Sequence, residues 1–589
     1  MIVRSALLLV LLLSPWVLAA DAARTFCNPL NLGYGVRAKG TQPSRHGADP
    51  AVVLFNDRYW LFSTWDRPGY RVSDDLVNWS FVPFAAPSEL VGHHYTAAAV
   101  VEIDGWLYFT ENGPQRNPAT LYRTQEPESG VWEKVSDLPP YLDPFLFVDP
   151  PTGRLFMYHG LERPIRVVEL DRETFAEIPG TDTQLMPAID PADRIRDGWE
   201  VCTWDNDESS PPMRGNKTFL PCREGAWVTY HDGRYYLQYA SPGTTVPGYA
   251  DGVLIGDSPL GPFTYNQHSP ISRKASGFIT SAGHSALFQD RHGNWWRAVT
   301  MLIGVHERFE RRIGLFPAGF DEDGIPFTRT ELGDLPIVLA HGEREHGGEV
   351  YAGWWLLSAA DVTASSSLHA HPPVLAADED IRTWWSAASG DAGEWLQLDL
   401  GQPQTVHAVQ INFAEQDLQA VPERAEDVHR FVLSASVDGE RWSVVVDRRG
   451  SDDCSPHTYV QLDEPIEVRF FRLENVHTPA GGKFAVSGLR IFGVAGGSPP
   501  AAVDVVAAQR DALDRRKVMV RWMSVDGAAA YLVRYGITPD KLNQHHLVRG
   551  RDVSEVTLFS LNNDPPYHFR VDAMNGSGMR RGATTVVAP

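Results

Sequence analysis

Cysteine is scarce in this chain. Of 589 residues only 4 are Cys: Cys27, Cys202, Cys222 and Cys454. Their spacing fits no zinc template. Cys202 and Cys222 bracket a loop-like stretch and are the favoured disulfide pair, with unpaired buried thiols as the alternative. Positive charge is also in deficit. With 52 Lys+Arg against 74 Asp+Glu the net charge is -22. That balance disfavours nucleic acid, anionic membranes and polyanionic substrates. Long apolar runs are missing too. The run Ala6–Leu13 is too short to span a bilayer, and no later segment is apolar enough. Arg4 precedes it, Ser14 and Pro15 bound it, and Ala19, Ala20, Ala22 and Ala23 follow. This is the pattern of a signal peptide over residues 1–22, predicting a secreted or periplasmic protein with no membrane contact after cleavage.

Helical periodicity is equally sparse, whereas aromatics are abundant, with 18 Trp, 19 Tyr and 26 Phe beside 50 Gly and 43 Pro. Such a composition favours an all-β chain. Aromatic faces also suit sugar rings, although most of them are needed as sheet core. A chain of this length exceeds one hydrophobic core, so two to four domains are expected.

A turn followed by an aromatic-rich strand recurs through the first half. The copies are Asn56-Asp57-Arg58-Tyr59-Trp60, Asp104-Gly105-Trp106-Leu107-Tyr108, Thr152-Gly153-Arg154-Leu155-Phe156, Asp232-Gly233-Arg234-Tyr235-Tyr236 and His292-Gly293-Asn294-Trp295-Trp296. Asx-Gly between apolar runs is a hairpin signal, because these residues accept the positive φ of a tight primed turn. The turns start 48, 48, 80 and 60 residues apart. A four-stranded propeller blade takes about 40–50 residues, so five copies predict five blades, with insertions in the longer gaps. From about Trp355, the segments 394–400, 431–436 and 470–473 alternate like half-buried strands. Val494 to Pro500 reads as a linker. The last stretch alternates at 518–522, 530–535 and 567–571, which predicts a β-sandwich.

Three acids stand out. Asp49 lies in Gly47-Ala48-Asp49-Pro50, Asp143 in Leu142-Asp143-Pro144, and Glu224 in Arg223-Glu224-Gly225. Each precedes or opens the first strand of a repeat. First strands of a propeller line one channel, so the three acids are expected to meet at its mouth. Any one of them alone reads as a turn residue. Together they suit glycosidic hydrolysis, which needs one carboxylic acid to protonate the leaving oxygen and one carboxylate to activate water. A nearby like charge keeps the acid protonated.

Seven segments follow one another in order: Ala48-Asp49-Pro50, Tyr59-Trp60-Leu61, Ser73-Asp74-Asp75-Leu76-Val77-Asn78-Trp79, Asp143-Pro144, Glu224-Gly225-Ala226-Trp227, Tyr235 to Tyr239 and Ser258 to Phe263. Through them the first ~340 residues resemble glycoside hydrolase family 43. The resemblance implies a five-bladed β-propeller over 24–345. It makes Asp49 the general base, Glu224 the general acid and Asp143 the residue that tunes and orients that acid. Substrate contacts are expected from His284, Trp65, Arg312 and Tyr239. Inversion is implied, with the carboxyls of base and acid roughly 6.5–9.5 Å apart. No cofactor is required. His284 is also expected near a bound water or a structural calcium, although no calcium loop is visible. Arg311 and Arg312 are expected to reach a sugar hydroxyl or a carboxylate, with a solvated face for at least one. The family's Trp-Ala-Pro is here Tyr95-Thr96-Ala97-Ala98, which alters a substrate-side wall. The insertion from Arg196 to Cys222 is expected on the rim.

Residues 350–493 resemble a discoidin (factor V/VIII type C) domain, through Asp380 to Ser386, Gly393 to Gly401 and Val486 to Phe492. Glycan binding and a spacer packed on the propeller stand as equal readings, with Trp385 and Trp395 in the core. Residues 501–589 resemble a fibronectin type III domain, through Trp522, Gly527-Ala528, Tyr531 to Tyr535 and Tyr567 to Val571. A spacer is its expected role. The resemblances imply a monomeric exo-acting or debranching hydrolase on polysaccharide. An α-L-arabinofuranosyl group is its first expected target, with β-D-galactofuranosyl or β-D-xylosyl as the alternative. The rival class is a non-catalytic glycan-binding or adhesion protein.

Overall fold

A computed structural model describes residues 24–37, 43–112, 119–161, 164–187, 198–200, 222–340, 342–344, 348–419, 428–583 and 585–589. The expected signal peptide, Cys202 with its proposed partnership to Cys222, and most of the 196–222 insertion lie outside the described residues.

The chain is all-β where described, apart from short 3-10 turns. Five antiparallel sheets, each four strands in sequence order, follow one another. Their first strands are Ala48–Phe55, Ala99–Ile103, Phe145–Val148, Glu224–His231 and Thr280–Gln289. The fourth sheet gains the extra strand Ser272–Arg273. These first strands touch in a closed circuit, the fifth returning to the first. Thr25–Phe26 pairs with Ile337–Val338 and ties the start of this unit to its end.

The hairpin signals act locally as expected. Asn56 and Asp57 have φ 50° and 59°, Asp104 and Gly105 have 51° and 77°, and Asp232 and Gly233 have 46° and 78°. Two left-handed residues in succession match the strand twist, which is why Asx-Gly is used there. Aromatics fill the space between sheets. Phe62, Tyr70, Phe84, Tyr95, Phe109 and Trp132 form one interlocked group between the first two sheets.

A second unit has its own core around Trp385, Leu396, Ile411, Phe431 and Phe471. Its sheet is organised on two long strands, Trp395–Phe413 and His457–His477, which pair with each other. Trp385 is fully buried, while Trp395 carries the Arg472 guanidinium 4.9 Å from its ring. The third unit has two sheets enclosing Trp522, Tyr531, Tyr567 and Phe569.

Both later units pack on the first. From the second, Arg45 and Glu415 form a 2.8 Å ion pair, and Arg490 bridges Glu379 and the Asp334 carbonyl, both at 2.9 Å or less. Cys27 is sealed in the same contact, and burial pushes its thiol up to about 12. From the third, Tyr535 and the Ser560 carbonyl each accept Arg273 at 3.3 Å, and Lys541 meets Asp321 at 2.7 Å.

Candidate active site

The centre of the five-sheet circuit is built by one repeated backbone device. Each sheet has a left-handed residue near the start of its first strand: Asp49 (φ 49°), Ala97 (44°), Asp143 (45°), Gly225 (61°) and His284 (46°). In sheets one, four and five this residue falls in a bulge, where the register skips from Ala48 to Ala51, Glu224 to Trp227 and Gly283 to Ala286. A bulge re-aims the side chain that an even pleat would send elsewhere. Four of the five occupants are not glycine, and that conformation costs energy for a residue with a Cβ.

Four of the five amides are held by side chains. Asp49 N–H donates to Thr300 Oγ1 at 2.8 Å, Ala97 to Thr64 Oγ1 at 2.7 Å, Gly225 to Asp143 Oδ2 at 3.3 Å and His284 to Asp251 Oδ1 at 2.8 Å. The sequence reading gave the three acids equivalent positions, and the structure corrects this. Asp49 and Asp143 occupy the left-handed slot, but Glu224 precedes it and Gly225 fills it. Gly225 is required there. A Cβ would lie 2.8 Å from the His284 ring.

Asp49, Asp143, Glu224 and His284 are thereby drawn together. His284 Nδ1 lies 3.4 Å from Asp49 Oδ1. Arg311 NH1 lies 3.2 Å from the same oxygen and donates to Thr244 Oγ1 at 3.2 Å. Burial alone would raise the Asp49 carboxyl. Arg311, His284 and the hydroxyls of Thr64 and Thr300 outweigh it and hold Asp49 below the ordinary carboxylate range. Among the described residues no guanidinium pairs with Asp143. Burial first, then the charges of Glu224 and Asp49, push it up to about 7 against the pull of His284 and the Gly225 N–H. Burial would lower the His284 imidazole, yet Asp49, Asp143, Glu224 and Asp251 together raise it. Glu224 accepts the Tyr249 hydroxyl at 2.6 Å on Oε1.

The wall on the second sheet is polar. Asn112 Nδ2 donates to Asp143 Oδ1 at 3.4 Å, and its N–H donates to the Thr96 carbonyl at 2.9 Å. Thr96 Oγ1 accepts Trp65 Nε1–H at 3.1 Å, and Glu111 bonds both the Thr96 N–H and His93. Trp65 stands 5.5 Å from the Arg311 guanidinium, beside the pair that holds Asp49.

Two expected substrate contacts lie elsewhere. Tyr239 is fully buried, 6.0 Å from the Trp199 ring. Glu224 pairs with Ala240, so the next residue along, Tyr239, points to the opposite face. Arg312 follows Arg311 and faces away for the same reason, into the contact with the second unit. Tyr249, Asn112, Thr300 and Thr64 escaped the sequence reading. They are lone polar residues with no local motif, and only the pairing of distant strands brings them in. Among the described residues, the His and carboxylate group with ligand atoms within 4.8 Å of one another is His306, Glu310 and Glu415, at that same contact. Arg45 and Arg312 already neutralise its carboxylates.

Residues 43–326 match the family model "Glycosyl hydrolases family 43". Residues 361–487 match "F5/8 type C domain". The chain is 25% identical over 272 residues to the β-D-galactofuranosidase xynD of Aspergillus niger, covering 41% of this chain and 69% of that one. Among solved structures it resembles a thermostable family-43 glycoside hydrolase at 19% identity and TM-score 0.40, over 52% of this chain and 96% of that one. It also resembles the xyloglucan PUL protein GH43B of Bacteroides ovatus at 14% identity and TM-score 0.40, over 80% and 98%.

Proposed function

Because the chain carries a family 43 glycosyl hydrolase domain followed by an F5/8 type C domain, we propose that it is an inverting hydrolase removing terminal furanosyl groups from a polysaccharide. In this reading the five sheets are the blades of a propeller and the third unit is of fibronectin type III kind. One observation carries the proposal: three buried carboxyls meet in two electrostatic states, Asp49 held down beside Arg311 and Asp143 pushed up to about 7. Such a split between neighbouring carboxyls is what acid–base chemistry on a glycoside needs.

Asp49 takes a proton from water as the water oxygen bonds the anomeric carbon. The bond from that carbon to the leaving oxygen breaks, and Glu224 gives that oxygen its proton. Tyr249 occupies Glu224 Oε1 and leaves the other oxygen to carry it. Asp143 keeps the local charge low and steadies the cluster through Gly225 and Asn112. Trp65 and the Thr96 wall line the sugar's path. A structural calcium reached through water from His284 suits the donor chemistry of surrounding carboxylate oxygens; the steps above do not pass through it.

The α-L-arabinofuranosyl group is the first target. The likeness to a β-D-galactofuranosidase favours β-D-galactofuranosyl as the second. The two share their ring configuration and differ only in the exocyclic chain. A panel of nitrophenyl arabinofuranoside, galactofuranoside, xyloside and galactoside tests the reading, with proton NMR of the first product anomer. Turnover of a furanoside with inversion supports it. No turnover of any member, or net retention, rejects it.

A further inference from the structure

Arg312 does not meet the sugar, but its contacts lead back to the base. Its Nε–H donates to His457 Nε2 at 2.8 Å. Its NH1 donates to the Arg45 carbonyl at 2.6 Å and to the Arg311 carbonyl at 3.1 Å. Arg45 lies on the strand that runs into Asp49. Arg311 carries the guanidinium that holds Asp49. The Gly47 N–H closes the figure by donating to the Arg311 carbonyl at 3.2 Å. One buried guanidinium therefore pins both chain segments that bear the Asp49–Arg311 pair.

His457 belongs to the second unit, on its long strand His457–His477. Its Nδ1 lies 2.9 Å from Asn412 Oδ1, on the paired long strand. Burial first, then the charges of Arg312, Arg45 and His429, hold His457 well below the ordinary range, so the ring is neutral. A neutral ring that accepts from Arg312 must carry its proton on Nδ1, and Asn412 accepts it there. Glu415 of the same unit anchors the Arg45 side chain at 2.8 Å. Asn412, His457 and Glu415 thus fix, from outside the five-sheet unit, the frame of its central pair.

We propose that His457 is a positioning residue for the Asp49–Arg311 pair, acting through Arg312, so that the second unit completes the hydrolytic site. The inference rests on the reading of Asp49 as the base. It is distinct from glycan binding by that unit, which would leave the site indifferent to His457.

The test uses the full chain with His457→Leu, His457→Gln and the milder Asn412→Leu. Leucine removes the acceptor for Arg312, glutamine restores one, and Asn412→Leu only unlocks the ring. Two readouts are taken: the pH profile of kcat/KM on the best furanoside, and the titration of 13C-labelled Asp49, assigned by its loss in Asp49→Asn. With the site loosened, His457→Leu lowers kcat about tenfold or more, leaves KM within about twofold and moves the acid limb upward. Asp49 then titrates higher, because Arg311 holds it less well. His457→Gln recovers most of this, and Asn412→Leu shows a smaller shift of the same sign. An unmoved limb and an unmoved Asp49 titration in folded His457→Leu or Asn412→Leu overturn the proposal, as does a glutamine variant no better than the leucine one. If the wild type turns over no glycoside, the hydrolase reading fails, and the Asp49 titration still decides the positioning claim.

Discussion

Two buried charge clusters lie on either side of the Arg311-Arg312 dipeptide, and they are built to opposite ends. At the ring centre Asp49, Asp143, Glu224 and Asp251 face His284 and Arg311, with Arg297 behind at 3.6 Å from Asp251. At the contact between units, Glu310 and Glu415 face Arg45 and Arg312. The second cluster is balanced, and balanced buried ions act as a specific joint that is costly to break. The first has more carboxyls than firmly seated cations; burial with the charges of Glu224 and Asp49 pushes Asp143 up to about 7 there, and at the joint burial also raises Glu310, against the pull of His306 and Arg312. Burial alone is common to both. What separates the two clusters is whether the charges cancel.

The comparison can be broken from either side. The largest effect is expected from Glu224→Gln, which removes the proposed proton donor and keeps the shape. Turnover on the best aryl furanoside should fall ~10²–10⁴-fold with the fold intact by circular dichroism. Next, Arg45→Ala should strip the joint of half its positive charge and leave Glu415 the longer, 3.7 Å contact with Arg312. About 3–5 kcal/mol of stability should be lost, measured by denaturant unfolding.

Asp143→Asn sharpens the contrast through pH. The folded-state carboxyl of Asp143 is raised to about 7, above its unfolded value. The native state therefore binds the extra proton between roughly pH 4 and 7, and stability drains as pH rises through that window. The asparagine variant should lose less melting temperature than the wild type between pH 5 and 8, a difference on the order of 3 kcal/mol. Parallel losses would show that Asp143 is not the strained carboxyl. Gly225→Ala is expected to be milder in stability, at about 1–2 kcal/mol for a left-handed residue with a Cβ. It drives the His284 ring aside, so activity should fall further than stability does. Trp65→Phe should act least, raising KM a few-fold through loss of the Thr96 bond.

Much of this architecture was readable along the chain because its signals are local. Asn56-Asp57, Asp104-Gly105 and Asp232-Gly233 announce their hairpins through backbone preference alone, and the observed φ values agree. Alternation located Val518–Trp522, Ala530–Gly536 and Tyr567–Asn575 in the third unit to within a few residues. The three acids were visible through turn-like settings that a plain strand does not need. What could not be read was side-chain direction. Arg312 and Tyr239 each sit one residue from a position that does face the site, and a period of two sends neighbours to opposite faces. Glu224 was assigned to Gly225's slot because a bulge adds a residue that no composition signal marks. Tyr249 was invisible for a different reason: its partner is reached only through pairing between strands.

The left-handed slot in each sheet has a consequence for how chains of this fold could diversify. The backbone presents five left-handed sockets, filled here by two acids, a histidine, an alanine and a glycine. Exchanging an occupant rewrites the reagents without rebuilding the casing around them. Ala97 and Gly225 are the sockets without a reactive side chain, and a Cβ at Gly225 would meet the His284 ring, which leaves Ala97. An asparagine or aspartate there, both tolerant of this twist, would add a new functional group to the ring at little conformational cost.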